Sequence, residues 1–361
     1  MTTPALQRLR EALPEAHLAL LTPDKLADLW QHHPSLNAVI PFSPGESPWS
    51  VARRLRGGAF QSALVLPNSH RSAFEVWLAR IPQRIGYARP WRSWLLTQPI
   101  APRPGQMRMP KRSVSEVNRL VRMSAGNPSA ARPRSPHRTA HQIHDYLHLA
   151  EALGASPEAL PPKLEVTSAE LRQAEAMFLS EWRKRTPNST PAQPPILLGL
   201  NPGAEYGPAK RWPSESFAAV ARAIAQQTRH CFWFAFGGPG DTQVCEVIAR
   251  LAGGSVLNLA GKTSLRQLMA LLKLCRVVLT NDTGPMHVAA ALGTPVVVPF
   301  GSTSPELTGP GLPEEPRHRL LKATVPCAPC FRRACPIDFR CMNGITPDRV
   351  AESIAQVLSP R

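Results

Sequence analysis

The stretch Thr280–Pro310, TNDTGPMHVAAALGTPVVVPFGSTSPELTGP, limits what this chain can fold into more than any other. An apolar run, Arg276–Thr280, reads as a strand and leads into Asn281-Asp282-Thr283-Gly284. Pro285 then stands at the first helical position. A short helix, Met286–Leu292, ends at Gly293, and a second apolar run follows, Pro295–Phe300. Proline just inside the start and glycine just past the end are the expected punctuation of a helix. A strand of this kind aims a helix N-terminus, with unpaired N–H groups and the positive end of the dipole, at the carboxyl edge of a parallel sheet. That arrangement binds anions, and in an open α/β sheet it lies where ligands bind.

The C-terminal half repeats the pattern. Apolar strands are expected at Ile196–Leu200, Cys231–Phe236, Val256–Leu259, Val277–Leu279 and Val296–Phe300. Helices are expected between them at Ser214–Gln227, Thr242–Leu251, Leu265–Leu274 and Met286–Leu292, with a last one at Pro347–Leu358 that packs back across the domain junction. This alternation predicts a doubly wound parallel sheet. The N-terminal half alternates similarly. Strands are expected at Leu18–Leu21, Ala38–Ile40 and Ala63–Leu66, and helices at Pro4–Ala12, Pro23–His32, Trp49–Arg56 and Ser72–Arg80. Pro102–Pro136 reads as a long basic loop with one helix at Val114–Met123. Helices at Ala140–Leu153 and Ser168–Arg185 follow. The proline-rich stretch Thr186–Pro195 is the expected linker, dividing a domain of residues 1–190 from one of residues 191–361. A length of 361 residues suits two domains of ordinary size.

The chain carries a formal net charge of +17, with 42 Lys+Arg against 25 Asp+Glu. Such a balance calls for a polyanionic partner: nucleic acid, an anionic membrane surface or a phosphorylated glycolipid. Forty prolines point instead to a codon bias that raises Arg, Pro and Ala together, so charge alone carries little weight. No recognised nucleic-acid module accompanies it, and no nucleic-acid partner is expected. No apolar run is long enough to span a bilayer, and no basic-then-apolar signal peptide opens the chain, so a cytoplasmic location is expected. Seven cysteines then read as thiols or metal ligands and not as disulfides.

The Thr280–Pro310 stretch resembles the donor-site signature of the bacterial lipopolysaccharide heptosyltransferases, glycosyltransferase family 9. Asn201-Pro202-Gly203-Ala204-Glu205-Tyr206-Gly207-Pro208-Ala209-Lys210-Arg211-Trp212-Pro213 is similar to the heptosyltransferase II form of that family. Leu66-Pro67-Asn68-Ser69 and Arg84-Ile85-Gly86-Tyr87 extend the resemblance into the N-terminal half. It implies a GT-B-like α/β fold, two doubly wound Rossmann-type domains facing a cleft. It also implies an inverting transfer of heptose from ADP-heptose to the lipopolysaccharide inner core (lipid A-Kdo-heptose), with no metal or other cofactor required. The enzyme would be peripheral at the inner face of the inner membrane, and a monomer is expected.

The chain opens with a helix where a doubly wound domain opens with a central strand. Leu18–Leu21 and Ala63–Leu66 should then flank an empty slot about twice the 4.8 Å strand spacing in width. In the family a strand and a Gly-Asp turn precede the helix that Met1–Leu6 resembles, and the Asp is the proposed general base. Its counterpart is expected just upstream of Met1.

Asp282, between strand and helix, is expected either to cap the helix or to orient the donor sugar and the phosphate loop. Thr283, Gly284, Met286 and His287 would present donors to the diphosphate, while Pro285 has no N–H to give. Lys210 and Arg211 follow the Gly/Pro-rich loop after Ile196–Leu200. Glycosyl transfer builds negative charge on the leaving diphosphate, and without a metal fixed cations and a helix N-terminus must take it up. Lys210 matches the family's catalytic lysine, with Glu205 and Tyr206 secondary candidates on the same loop. Gly238, Leu259 and Thr263, after the next two strands, would floor the pocket for base and ribose.

Asn68, Ser69, Arg71 and Arg84 are the candidate acceptor contacts, with Arg89, Arg92, Lys111 and Arg112 as further cations. Cys327, Cys330, Cys335 and Cys341 lie within fifteen residues, yet their spacing is short for a zinc ribbon, and metal is not the expected use. Two alternatives remain open at the level of sequence: a sugar-nucleotide epimerase or hydrolase of the same architecture, and a truncated, non-catalytic donor-binding protein.

Overall fold

The computed structural model describes residues 1–124, 138–185, 195–228, 230–313 and 315–359. Residues 186–194 of the expected linker and 125–136 of the basic loop therefore lie outside the described residues. The chain divides into two compact units, Met1–Met107 with Arg138–Pro162, and Arg108–His137 with Lys163–Arg361.

In the first unit α1 (Thr3–Ala12) precedes β1 (Ala19–Pro23), α2 (Asp24–Ala27), β2 (Ala38–Phe42), α3 (Pro48–Gly57), β3 (Ser62–Val65), α4 (His70–Leu78), β4 (Gln83–Tyr87) and β5 (Gln98–Ile100). β1 and β2 form one parallel pair, and β3, β4 and β5 a separate three-stranded parallel sheet. Among the described residues no strand bridges β1 and β3, the gap expected between Leu18–Leu21 and Ala63–Leu66. Val51, Ala52 and Leu55 of α3 pack with Ala73, Val76 and Leu78 of α4 over these strands. Ser47 and Ser69 start the two helices by accepting hydrogen bonds from the N–H groups of Ser50 and Ser72.

The second unit contributes α5 (Val114–Ser124); α6 (Ile143–Ala150) returns to the first unit and packs on α1. The second unit then runs α7 (Ser168–Arg185), β6 (Ile196–Asn201), α8 (Ser214–Gln227), β7 (Cys231–Ala235), α9 (Thr242–Leu251), β8 (Val256–Asn258), α10 (Leu265–Leu274), β9 (Val278–Thr280), α11 (Gly284–Ala291), β10 (Val296–Phe300), α12 (Pro305–Thr308), β11 (Arg319–Lys322), α13 (Arg340–Asn343) and α14 (Pro347–Leu358). The six strands form one parallel sheet in the order β11-β10-β9-β6-β7-β8. Strands covered on both faces read as unbroken apolar runs. β10 is buried along its whole length, and Trp233 and Phe234 of β7 are fully enclosed; each side chain of that size contributes roughly 1.5–3 kcal/mol by leaving water.

The order reverses at β6. The chain leaves it toward β7 and β8, then crosses to β9 on the other side. The crevice between the carboxyl ends of β6 and β9 is thus the switch point of the sheet, where ligands bind in open α/β folds.

Two expectations change. α7 was read as part of the first domain, but it belongs to the second unit: Arg266 of α10 holds Glu170 of α7 at 2.6 Å, and the Phe178 ring meets Phe234 edge-on. α5 likewise sits in the second unit, with Val117 packed on Cys327 and Cys330. The division therefore does not fall at residue 190, because buried contacts far along the chain outweigh proximity in sequence. The last helix, α14, packs through Val350, Ala351 and Ile354 on its own unit, against α8 and β10.

Candidate active site

β9 ends in Thr280, and the next two residues are buried at the carboxyl edge. Asn281 fastens this edge to the loop after β6. Its Oδ1 accepts from the Trp212 N–H at 3.1 Å, and its Nδ2 donates to the Pro202 carbonyl at 2.7 Å. The Trp212 indole is buried, and its Nε1 donates to the Ile345 carbonyl at 3.0 Å. Residues 202–212 are therefore held at both ends, and Lys210 lies on the turn Pro208–Lys210 between them.

Lys210 Nζ lies 2.6 Å from Asp282 Oδ2, which also accepts from the Thr303 hydroxyl at 2.5 Å. Asp282 is 4% exposed. The ammonium also stands over the Tyr206 ring, 4.9 Å from its centre, and the Arg333 guanidinium lies 5.4 Å from the same ring. Tyr206 is fixed through its hydroxyl, which donates to the Phe331 carbonyl at 2.8 Å. The loop thus rests on the segment bearing Phe331 and Arg333, and Ala209 N–H donates to the Arg333 carbonyl at 3.0 Å.

Asp282 does not cap α11. Thr283 is the N-cap residue, and its side chain makes no capping bond. Gly284 is exposed at the helix start, where uncapped N–H groups and the dipole favour an anion. Pro285 sets the first turn and Gly293, at φ 84°, ends the helix in the left-handed conformation. The Met286 side chain is in the core, and its N–H is used by the Thr283 carbonyl, so it faces no ligand. His287 is half-buried in the first turn.

β7 and β8 continue the same edge. Gly238 is exposed after β7, and its N–H donates to Asp241 Oδ2 at 3.0 Å. A Cβ on Gly203 would stand 2.5 Å from that carboxylate, so glycine there lets the β6 loop lie against it. Leu259 is buried after β8, and its N–H goes to the Ala235 carbonyl. It packs the base of the edge; half-buried Thr263, just before the Ser264 cap of α10, is more open. Arg211 is exposed, with one long 3.5 Å bond to the Ala204 carbonyl. The structure therefore gathers Lys210, Asp282, Thr283, Gly284 and Gly238 at one edge. It withdraws Met286 and Leu259 into packing.

Sequence reasoning missed Thr303 and Arg333 and left Asn281 without a role. The small polar run Gly301-Ser302-Thr303-Ser304 after β10 was the available signal for Thr303.

In the first unit Asn68 and Ser69 follow the carboxyl end of β3 and are exposed, and Ser69 caps α4. Arg71 pairs with Glu75 at 2.7 Å and donates to the Pro44 and Glu46 carbonyls. Arg84 lies at the opposite, amino end of β4, where it donates to the Ile81 and Leu95 carbonyls at 2.6 and 2.8 Å. It braces the strand. Arg92 is buried after β4 and joins the Tyr87 and Pro67 carbonyls at 2.8 Å each.

Among the described residues no group of three or more His, Cys, Asp or Glu is placed to hold a metal ion. Cys327, Cys330 and Cys341 are buried free thiols and Cys335 is half-buried. Burial, reinforced by the neighbouring thiols, pushes Cys341 up to about 12. Cys330 and Phe331 donate their N–H groups to the Ser302 carbonyl, so this segment packs beneath the Tyr206 loop.

The family model of glycosyltransferase family 9 (heptosyltransferase) matches residues 121–339. Lipopolysaccharide heptosyltransferase 2 of Salmonella typhimurium is 29% identical over 97% of this chain and 92% of its own length. The protein of the same name from Escherichia coli K12 is 30% identical over 84% and 79% of the two chains. The solved structure of E. coli ADP-heptose lps heptosyltransferase II superposes with a TM-score of 0.71 at 26% identity, covering 99% of this chain and 94% of that one. A family 9 glycosyl transferase from Veillonella parvula shares the fold, with a TM-score of 0.75 at 21% identity over 99% and 92%.

Proposed function

Since the chain belongs to glycosyltransferase family 9, the heptosyltransferases, we propose that it moves a heptose from ADP-heptose to the inner core of lipopolysaccharide, as a heptosyltransferase II does. The Lys210–Asp282 pair, at the switch point and beside the uncapped start of α11, carries this reading. The acceptor hydroxyl oxygen bonds to the anomeric carbon from the face opposite the nucleotide. The bond from that carbon to the diphosphate oxygen breaks, ADP leaves with the electron pair, and a base takes the hydroxyl proton. Configuration inverts. Lys210 and the Gly284 end of α11 take up the charge that develops on the diphosphate. Asp282 and Tyr206 hold the ammonium there, and Asp282, already paired, is a positioning group and not the base. Exposed Gly238 and half-buried Thr263 border the nucleotide.

The chemistry of this scheme needs no metal. The acceptor, a lipid A-Kdo-heptose glycolipid, would meet the first unit near Asn68 and Ser69, with the enzyme as a peripheral monomer at the anionic inner face of the inner membrane. Mass spectrometry of reactions with ADP-, GDP- and UDP-sugars and a truncated inner-core acceptor tests this. Acceptor mass should rise by one heptose with the ADP donor alone. Rapid ADP release without any acceptor would mean an epimerase or hydrolase and sink the transferase reading.

A further inference from the structure

The outer side of α3 and α4 in the first unit is aromatic where a soluble surface is usually polar. Trp49 of α3 is 66% exposed and Trp77 of α4 is 39% exposed. Their rings belong to one continuous ladder. Trp49 meets Phe74 edge-on with centroids 6.4 Å apart, Phe74 stacks on Trp77 at 5.7 Å, and Trp77 meets Trp94 edge-on at 5.7 Å. Trp94 is 64% exposed, and its Nε1 donates to the Trp91 carbonyl at 3.0 Å. Trp91 is 84% exposed and held at φ 60°, in the left-handed region that bulky residues avoid. Four indoles drawn from α3, α4 and the β4–β5 connection thus share one exposed surface. Contiguous apolar patches of this kind mark interaction sites.

The charge around the ladder is one-sided. Between Ser43 and Ile100 the acidic residues are Glu46 and Glu75, and each is ion-paired, to Arg54 and Arg71. Arg53 lies one helical turn beyond Trp49 and is exposed, as is Arg80 just after α4. On a helix, positions four apart share a face, so Trp49 and Arg53 point the same way. Indoles beside unpaired arginines match the interfacial zone of an anionic bilayer: the rings enter the headgroup level and the guanidinium groups stay with the phosphates. Single-stranded nucleic acid needs open ring faces for its bases, and here Phe74 and Trp77 cover each other at an interplanar angle of 18°.

We propose that this face, the Trp49–Phe74–Trp77–Trp94 ladder with Arg53 and Arg80, is a docking surface for an anionic lipid bilayer. The inference deepens the membrane part of the proposed function, since a glycolipid acceptor is presented at such a surface, but it rests on this face and not on the donor site.

The test uses the full chain and vesicles of phosphatidylcholine alone or with phosphatidylglycerol, some carrying brominated acyl chains. Trp182, Trp212 and Trp233 are buried and Trp30 is half-buried away from the ladder's elements, so the loss of bromine quenching in the variant below reports the exposed indoles. Wild type should bind the anionic vesicles, be quenched, and bind neutral vesicles at least tenfold more weakly. The variant W49S/W91S/W94S should lose quenching and binding while keeping its thermal midpoint and its affinity for ADP. Arginines near an anionic surface each add about fivefold to partitioning, so R53Q/R80Q should bind roughly 25-fold more weakly. Wild type that ignores anionic vesicles, or a triple variant that binds them unchanged, overturns the inference. So does wild type that self-associates through this face, seen as a dimer by sedimentation that the triple variant abolishes, or an oligonucleotide that displaces the vesicles. ADP affinity is read in the same samples, so failure of the donor reading shows up separately.

Discussion

Lys210 Nζ stands 2.6 Å from Asp282 Oδ2 in a site where the carboxylate is 4% exposed. The pair should therefore matter to folding as well as to the proposed chemistry. Removing the ammonium leaves a buried carboxylate that accepts a hydrogen bond from the Thr303 hydroxyl but faces no cation in place of Lys210. Breaking a buried pair in this way typically costs about 3–5 kcal/mol, discounted here because the Lys210 side chain is 14% exposed. Lys210→Ala should thus lower the thermal midpoint measurably, and turnover should fall about 100- to 1,000-fold, the usual loss for one stabiliser of developing charge. The double variant K210M/D282N separates the two effects. It should recover most of the stability, because no uncompensated charge stays buried, and none of the turnover. Recovery of turnover in the double variant would remove Lys210 from the chemistry.

Asn281 is the second hinge of the site, since it satisfies both the Trp212 N–H and the Pro202 carbonyl. Asn281→Ala leaves both groups buried without partners, at about 1–3 kcal/mol each. Asn281→Asp keeps an acceptor for Trp212 and loses only the bond to Pro202, but adds charge beside Asp282. Both variants should weaken ADP binding in calorimetry, through loss of the loop position that carries Lys210. Normal ADP affinity in Asn281→Ala would show that the loop is held from elsewhere.

Much of this site was legible in the sequence because parallel strands buried on both faces leave an unmistakable apolar signature. β10 lies where its residues Val296–Phe300 predict, and α8, α9 and α10 match their expected limits. Pro285 and Gly293 fixed α11 to within two residues. β11 escaped notice because Arg319 and Lys322 make its ends polar at the sheet edge. β4 escaped because Arg84 and Gly86 interrupt its apolar run. The helix expected at Pro23–His32 shrinks to Asp24–Ala27 and a single tight turn, since Pro23 is drawn into β1 by pairing with Phe42. The Lys210–Asp282 contact spans seventy-two positions, and no local pattern states it. Nor does any local pattern show that Arg84 turns to the amino edge while Arg92 reaches the carboxyl edge.

Gly207 shows how closely the Lys210 loop is seated. It adopts φ 144°, and a Cβ there would stand 2.5 Å from the Arg333 carbonyl oxygen, which is backbone and cannot swing aside. Gly207→Ala must push residues 207–210 off the Arg333 segment. The expected outcome is a loss of turnover of at least tenfold with the rest of the fold intact. Gly240, where a Cβ meets nothing within 4 Å, is the control, and Gly240→Ala should be silent. Steady-state kinetics and far-UV circular dichroism on the two variants make the comparison.

His318 gives the second unit an acid limit. It is 6% exposed, and its Nδ1 accepts from the Val296 N–H at 3.3 Å, tying the start of β10 to the residue before β11. Burial, with a smaller contribution from the Arg317 charge, lowers its pKa from 6.5 to about 4. Glu315 is the acidic group beside it, 3.6 Å from Nε2, but Glu315 is itself paired with Arg317. Between pH 6.5 and 4 the unfolded chain therefore binds more protons at this position than the folded one. Its stabilising contribution is complete above pH 6.5 and is lost as pH falls through about 4, a change on the order of 3 kcal/mol. Asn offers a carbonyl oxygen in place of Nδ1 and does not titrate. His318→Asn should thus match wild type closely at pH 7.5 and lose less of its thermal midpoint on going to pH 4.5. Parallel melting curves for the two proteins at both pH values decide it, and equal losses would assign the acid sensitivity to other groups.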